Sequence, residues 1–346
     1  KGRRVVTSAV YAGTVAGSNT VANTVQCAAF VVGEDFAGMR SQALGLAERA
    51  GWRSTFCPVR PDRIARLALG GPAWLGRPFL RGYDGKALED SPDLAQSAVV
   101  ISVGGKGGAM GAALRSARHP VVQVQNPRQN LSRFDLIVAC RHDDLSGPNI
   151  LVGRTAVHGL TEPCLRAARQ LWQPRFEHLP RPLVAALVGG GNGRYCFTDA
   201  EAHRLGQVLV NTVKAEGGSL IVTPSRRTQP SALKILASYV QQVNGILWDG
   251  EGENPYVGLI ACADSLVVTM DSVSMVSEAV AGEAPVTVFP LPGRSRRISH
   301  FIEELELAER VRVLDSTAER LPKSWGVRPL DDTPDLVGEM HRRLGF

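Results

Sequence analysis

At 346 residues the chain is longer than one hydrophobic core usually serves, which predicts two domains of roughly 150 residues each. A hydrophobic content of 44% with 21% charged residues excludes a disordered chain, and no apolar run approaches the ~18 residues of a transmembrane segment. The net charge of +6 fits an anionic ligand, a nucleic acid or an acidic membrane surface alike, but aromatic residues are only 6% and no arginine–aromatic stripe occurs, so no nucleic acid is expected as a partner.

Residues 1–28 carry no acidic side chain, begin with Lys1, Arg3 and Arg4, and are rich in Ser, Thr, Ala and Val. That composition predicts either a poorly ordered leader or an organelle-targeting extension, although the arginine-rich amphipathic helix of the latter is missing. Ala28–Val32 reads as the first strand. Gly33 and Gly38 bracket its loop to a helix, and Gly51 is the C-cap. Residues 58–92 read as an irregular or helical connector. Ala98–Val103 is a second buried strand, and the glycine-rich GGKGGAMG from Gly104 to Gly111 reads as a turn before a helix over 112–118. Lys106 is followed by glycine and no GxGxxG fits, so neither nucleotide-binding fingerprint is present and a tight packing turn is expected.

Val121–Val124 and Phe134–Ala139 are the next strands. Their polar exits, Asn126–Arg128 and Arg141–Asp144, fall on one sheet edge. Arg128 can meet a phosphate or pair with Asp135; His142 with Asp143 can be acid/base machinery or a satisfied turn. Beyond a Pro-rich link near 174–182 the pattern restarts. Leu183–Val188 is a strand, Gly189–Phe197 a glycine-rich loop, and Thr198 with Glu201 a capping box for a helix to about Glu216. Leu220–Thr223 and Gly245–Trp248 are strands, the first ending at Ser225, Arg226 and Arg227, the second leading to Asn254 and a helix from Tyr256. A strand or helix end every 20 to 25 residues indicates a parallel sheet. Thr333 and Pro334 open a C-terminal helix. The six cysteines form no CxxC pair and read as free thiols of a reducing compartment, and the seven histidines show no ligand spacing, so no metal is expected.

The stretch over 263–290 carries the most chemistry. Leu266–Val268 is a buried strand, Met270–Ser272 its exit, and Val273, Val276 and Val280 face the sheet from the following helix. Ser274, Ser277 and Glu278 group on another side. A helix N-terminus at the carboxyl edge of a parallel strand is an anion site, and a carboxylate one turn further suits a ribose diol; the plainer alternative is a capped helix with a solvated glutamate.

The phrases VVQVQNPRQNLSRFDLIVACRHDD, GPNILVGRTAVHGLT, GGSLIVTPSRRT, NPYVGLIACADSLVVTMDSVSMVSEA and SWGVRPLDDT resemble, in order, the mitochondrial-fission "elongated mitochondria" family of plants and its bacterial relatives. The resemblance covers 29–346 and implies an α/β, GT-B-like architecture: two Rossmann-like domains facing across a cleft, over 29–180 and 181–322, with a C-terminal helix over 323–346 returning to the first. It further implies a nucleotide-diphosphate sugar bound in the cleft by Gly190, Arg226, Asn254, Asp271, Ser272, Ser274 and Glu278, with no metal and no cofactor. Many bacterial relatives have a histidine where this chain has Met39, so a transferase would need Asp35 or His142 as its base. The plant members imply instead a cytoplasmic adaptor, peripheral on the mitochondrial outer membrane, that recruits a dynamin-related protein.

Overall fold

The computed structural model describes residues 27–71 and 76–346; all but the last two residues expected of a leader lie outside that range. In chain order the first half runs β1 (Ala28–Gly33), α1 (Ala37–Arg49), β2 (Arg53–Pro58), α2 (Arg63–Gly70), α3 (Pro92–Gln96), β3 (Val99–Val103), α4 (Gly104–Leu114), β4 (Val121–Val124), β5 (Leu136–Cys140) and β6 (Ile150–Gly153). The second runs α5 (Glu162–Phe176), β7 (Leu183–Val188), α6 (Asp199–Glu216), β8 (Ser219–Pro224), α7 (Pro230–Gln241), β9 (Ile246–Leu247), α8 (Tyr256–Cys262), β10 (Ser265–Thr269), α9 (Val273–Val280), β11 (Val286–Phe289), α10 (Arg296–Leu307) and β12 (Val311–Val313), closed by α11 (Thr333–Leu344).

Two six-stranded sheets result, ordered β2-β1-β3-β4-β5-β6 and β12-β11-β10-β7-β8-β9. Every pairing is parallel, with Val31 opposite Ile101 in the first sheet and Leu266 opposite Ala185 in the second. Such strands are covered on both faces, which is why they read as unbroken Val/Ile/Leu runs: β3, β4, β5 and β7 are buried at every position. In each sheet the strand order reverses once, between β1 and β3 and between β7 and β10. A reversal makes adjacent loops leave in opposite directions and opens a crevice at the carboxyl edge of the strands.

The glycine-rich segment after β3 differs from the expected turn, because it is itself the helix α4. Glycine costs about 1 kcal/mol per helical residue relative to alanine, and here close packing offsets it. A Cβ on Gly107 would lie 2.9 Å from the Val32 carbonyl oxygen and one on Gly111 2.4 Å from Ser102 Cβ. Only bare backbone lets α4 settle onto the sheet. Arg128 likewise does not meet Asp135, whose carboxylate takes Arg115 at 2.7 Å and the Val121 amide.

Helix α5 packs against α8 of the second half, with Trp172 over Gly258. Helix α11 crosses back to the first, where Leu336, Val337 and Met340 join the core formed by α1 and the strands. Arg154 clamps its start by bonding Asp332. All six cysteines are free, Cys196 being the exposed one. Among the described residues no helix is long and apolar enough to cross a membrane.

Candidate functional site

The crevice of the second sheet lies between the exits of β7 and β10, and its geometry is organised by Asp271. That carboxylate has no solvent exposure. Its Oδ1 accepts the Thr269 hydroxyl at 2.6 Å, and its Oδ2 accepts the Gly190 amide at 3.1 Å and the Arg227 guanidinium at 2.7 Å. Thr269 Oγ1 in turn accepts the Gly189 amide at 2.7 Å, and the Asp271 carbonyl accepts Asn192 Nδ2 at 2.8 Å. A buried carboxylate is stable only when its lone pairs are met in this way. The approach leaves no room for side chains in the loop: a Cβ on Gly189 would stand 2.3 Å from the Asp271 carboxylate and one on Gly190 2.1 Å from the Arg227 carbonyl oxygen. Asp271 thus ties the exits of β7, β8 and β10 into one floor.

From that floor α9 starts with Ser272, whose hydroxyl accepts the Met275 amide at 3.3 Å and caps the helix. The flank of α9 is an interface with the first domain. Ser274 Oγ accepts Gln42 Nε2 at 2.7 Å, and Gln42 Oε1 accepts Gln125 Nε2 at 3.1 Å, a relay from the exit of β4 through α1. The Ser277 hydroxyl, wholly buried, accepts the Ala156 amide at 2.9 Å. Glu278 is 5% exposed; it accepts the Ser41 hydroxyl at 2.9 Å on one oxygen and the Tyr256 hydroxyl on the other. Asn254 is exposed and acts one step back, its side chain accepting the Tyr256 amide at 3.0 Å.

Among the residues expected at the site, Gly190, Asp271, Ser272, Ser274 and Glu278 therefore come together along one crevice and helix. Arg226 and Arg227 both stand exposed at the same sheet edge, and of the two Arg227 reaches the buried Asp271 carboxylate. The turn from Ser225 to Thr228, closed by the Thr228 amide on the Ser225 carbonyl, sets which arginine faces in; the two are indistinguishable in sequence. Arg194 and Arg294 are exposed along the loops after β7 and β11, which a bridge between Tyr195 and Gly293 holds together, and Arg296 is exposed at the start of α10. Among the described residues Arg226, Arg294 and Arg296 have no ion-pair partner, so this edge is electropositive.

Asp35 and His142 are not neighbours. They follow β1 and β5, three strand spacings or about 14 Å apart. Asp35 is exposed and pairs with Arg40 at 3.2 Å. His142 is buried edge-on against Phe301 of α10, and burial, with Arg297 and His300, pushes its pKa down to about 4. Asp143 beside it pairs with Arg297, although burial still raises its carboxyl above the usual range. With the Arg141–Glu304 pair at 3.2 Å, this turn forms a second contact between the domains. The first sheet's own crevice is bridged by Lys106 and Glu34 at 2.7 Å. Sequence reasoning missed Arg227, Thr269, Asn192, Ser41, Gln42 and Tyr256. The Thr-x-Asp spacing of Thr269 and Asp271 was a usable signal; the cross-domain partners left none.

A family profile described as mitochondrial fission ELM1 matches residues 37–344. The mitochondrial fission protein ELM1 of Arabidopsis thaliana is 30% identical over 249 residues, which are 65% of this chain and 58% of that protein, so the matched region spans under two thirds of that relative. Among solved structures, the UDP-GlcNAc 2-epimerase of Methanocaldococcus jannaschii superposes with a TM-score of 0.53 at 11% identity, covering 92% of this chain and 99% of its own. The glycosyltransferase SnogD of Streptomyces nogalater gives 0.51 at 11%, covering 92% and 96%. At such identities the likeness is one of fold, the GT-B arrangement of two facing α/β domains.

Proposed function

The chain belongs to the mitochondrial fission ELM1 family, and from that premise we propose that it is a GT-B protein that binds a nucleotide-diphosphate sugar in its interdomain cleft without transferring the sugar. The observation that carries the reading is the crevice at the β7/β10 reversal, where a glycine loop, a capped helix start and unpaired arginines share one edge. Amides at a helix start and guanidinium groups are the donors a diphosphate takes in the absence of a metal. The Gly190 loop and Arg226 would meet the diphosphate, Ser272 and Ser274 the first turn of α9, and Glu278 the ribose diol, with Asn254 setting Tyr256 beside it. Asp271 is spent on the floor and acts by positioning.

Transfer is left out of the reading because neither expected base stands ready. Asp35 is exposed and paired at 3.2 Å with Arg40, and His142 is buried with its pKa near 4, too weak a base for a hydroxyl at neutral pH. The second reading, an adaptor that recruits a dynamin-related protein to the mitochondrial outer membrane, is favoured by family membership and is compatible with a ligand-responsive cleft.

Glu278 gives the test its specificity. A ribose would compete with Ser41 for the same carboxylate, so ligand and domain contact oppose each other. Thermal shift and calorimetry with UDP, ADP, GDP and UDP-GlcNAc should show stabilisation by one base, on the order of 3 kcal/mol at a hundredfold excess over Kd. Glu278→Ala should lower affinity at least about tenfold, while Ser41→Ala should leave it equal or tighter. No response to any nucleotide at millimolar concentration would overturn the binding reading.

A further inference from the structure

Helix α2 lies outside the cleft chemistry and presents an unusual outer face. Its inner side, Ala65, Ala68 and Leu69, is buried in the first domain's core. On the outer side Ile64 is 68% exposed and Leu67 78%, three residues apart and therefore one above the other. Arg63 and Arg66, exposed with the same spacing, form a parallel ridge on the helix, and Arg60 is exposed in the segment just ahead of it. Tyr83, 69% exposed, is fixed near the start of the helix by its amide on the Pro58 carbonyl at 3.0 Å.

The acidic groups nearby are already engaged. Asp62 caps α2 by accepting the Ala65 amide at 2.7 Å, Asp84 has Lys86 at 3.9 Å, and across the loop after β1 Glu34 holds Lys106 and Asp35 holds Arg40. Among the described residues none of Arg60, Arg63 and Arg66 has an ion-pair partner. The face is thus a net-positive ridge alongside a short apolar one.

We infer that this face of α2, with Tyr83, seats the first domain on an anionic lipid surface. The geometry selects a bilayer over a protein groove. Ile64 and Leu67 stand proud on a convex helix and span one turn, far short of the ~800 Å² per partner that a standard protein interface buries. A bilayer interface accepts two protruding side chains at the acyl boundary while arginines and a tyrosine occupy the headgroup layer. The attachment is weak, peripheral and salt-sensitive, and it does not depend on which ligand the cleft takes.

The test is co-flotation of the full chain with vesicles of phosphatidylcholine alone or mixed with phosphatidylserine, at low and high salt. Binding is expected on the mixed vesicles only and should fall as salt rises. Arg60→Gln/Arg63→Gln/Arg66→Gln should weaken it on the order of a hundredfold, at roughly fivefold per arginine, and Ile64→Ser/Leu67→Ser by about tenfold with the salt dependence kept. All five positions are exposed, so a thermal melt should match the parent and separates lost contact from lost fold. Equal binding to both vesicle types, no binding at low salt, or variants that bind like the parent would each overturn the assignment.

Discussion

Asp271 shows how one buried carboxylate can organise the floor of a crevice. Its carboxylate satisfies two amide- or hydroxyl-bearing loops and one arginine with no contact to water. Truncation would leave the Thr269 hydroxyl and the Gly190 amide without an acceptor at a buried floor, while Arg227, whose side chain is 39% exposed, can turn to solvent. Asp271→Ala should therefore lose about 3 kcal/mol in urea denaturation, as two buried donors are left without an acceptor, and Asp271→Asn less, because its amide keeps one acceptor oxygen. A loss under about 1 kcal/mol for the alanine variant would mean that water replaces the carboxylate and that the floor is not built on it. The sequence marked Asp271 through its place at a strand exit, and it could not show the hydrogen bonds that hold the carboxylate. Which atoms fill its lone pairs depends on loops that begin about 80 residues earlier.

Helices α4 and α11 separate the two meanings of a helical glycine. Gly111 packs against Ser102, where an added Cβ would stand 2.4 Å from another Cβ in a strand that cannot retreat. Overpacking of that kind costs about 1–3 kcal/mol, more than the ~1 kcal/mol gained from propensity. Gly338 of α11 has nothing within 4 Å of its would-be Cβ and is exposed. Gly338→Ala should raise the stability by up to about 1 kcal/mol and Gly111→Ala should lower it, as read from paired denaturant midpoints; the same sign for both would discard the account. Composition alone made the Gly104–Gly111 run look like a turn, because propensity sees the entropy of glycine and not the sheet it rests on. The valine-rich strands were legible for the opposite reason: burial on both faces leaves its mark in every residue of the run.

At the scale of the whole molecule, the domains meet through α1 with α9 and through the Arg141–Asp143 turn with α10, and buried titratable groups sit in both contacts. His142 has its pKa lowered from 6.5 to about 4, and His158, buried near Asp331 and Arg49, is also lowered, chiefly by burial. The unfolded chain takes up protons as pH falls below about 6.5 while the folded one does not, so the linkage destabilises the folded state through the window from 6.5 down to about 4 and is silent above it. His142 contributes about 2 kcal/mol of loss between pH 7 and pH 5. His142→Gln should flatten the pH dependence of the urea midpoint by that amount, and parallel slopes for parent and variant would reject the assignment.

By itself the sequence determined the α/β class, the restart near residue 183, most of the strands though not β2, β6 or β12, and the helix that bears Glu278, because period and burial are local properties that each segment carries within itself. It could not determine what Glu278 faces. Read alone, the 263–290 stretch is a capped helix with a glutamate free to bind a ribose; folded, that glutamate is held by Ser41, 237 positions away, and by Tyr256. Only the tertiary structure decided this, since it depends on how two sheets with reversed strand order bring the carboxyl edges of their strands together, and neither half records the other's geometry.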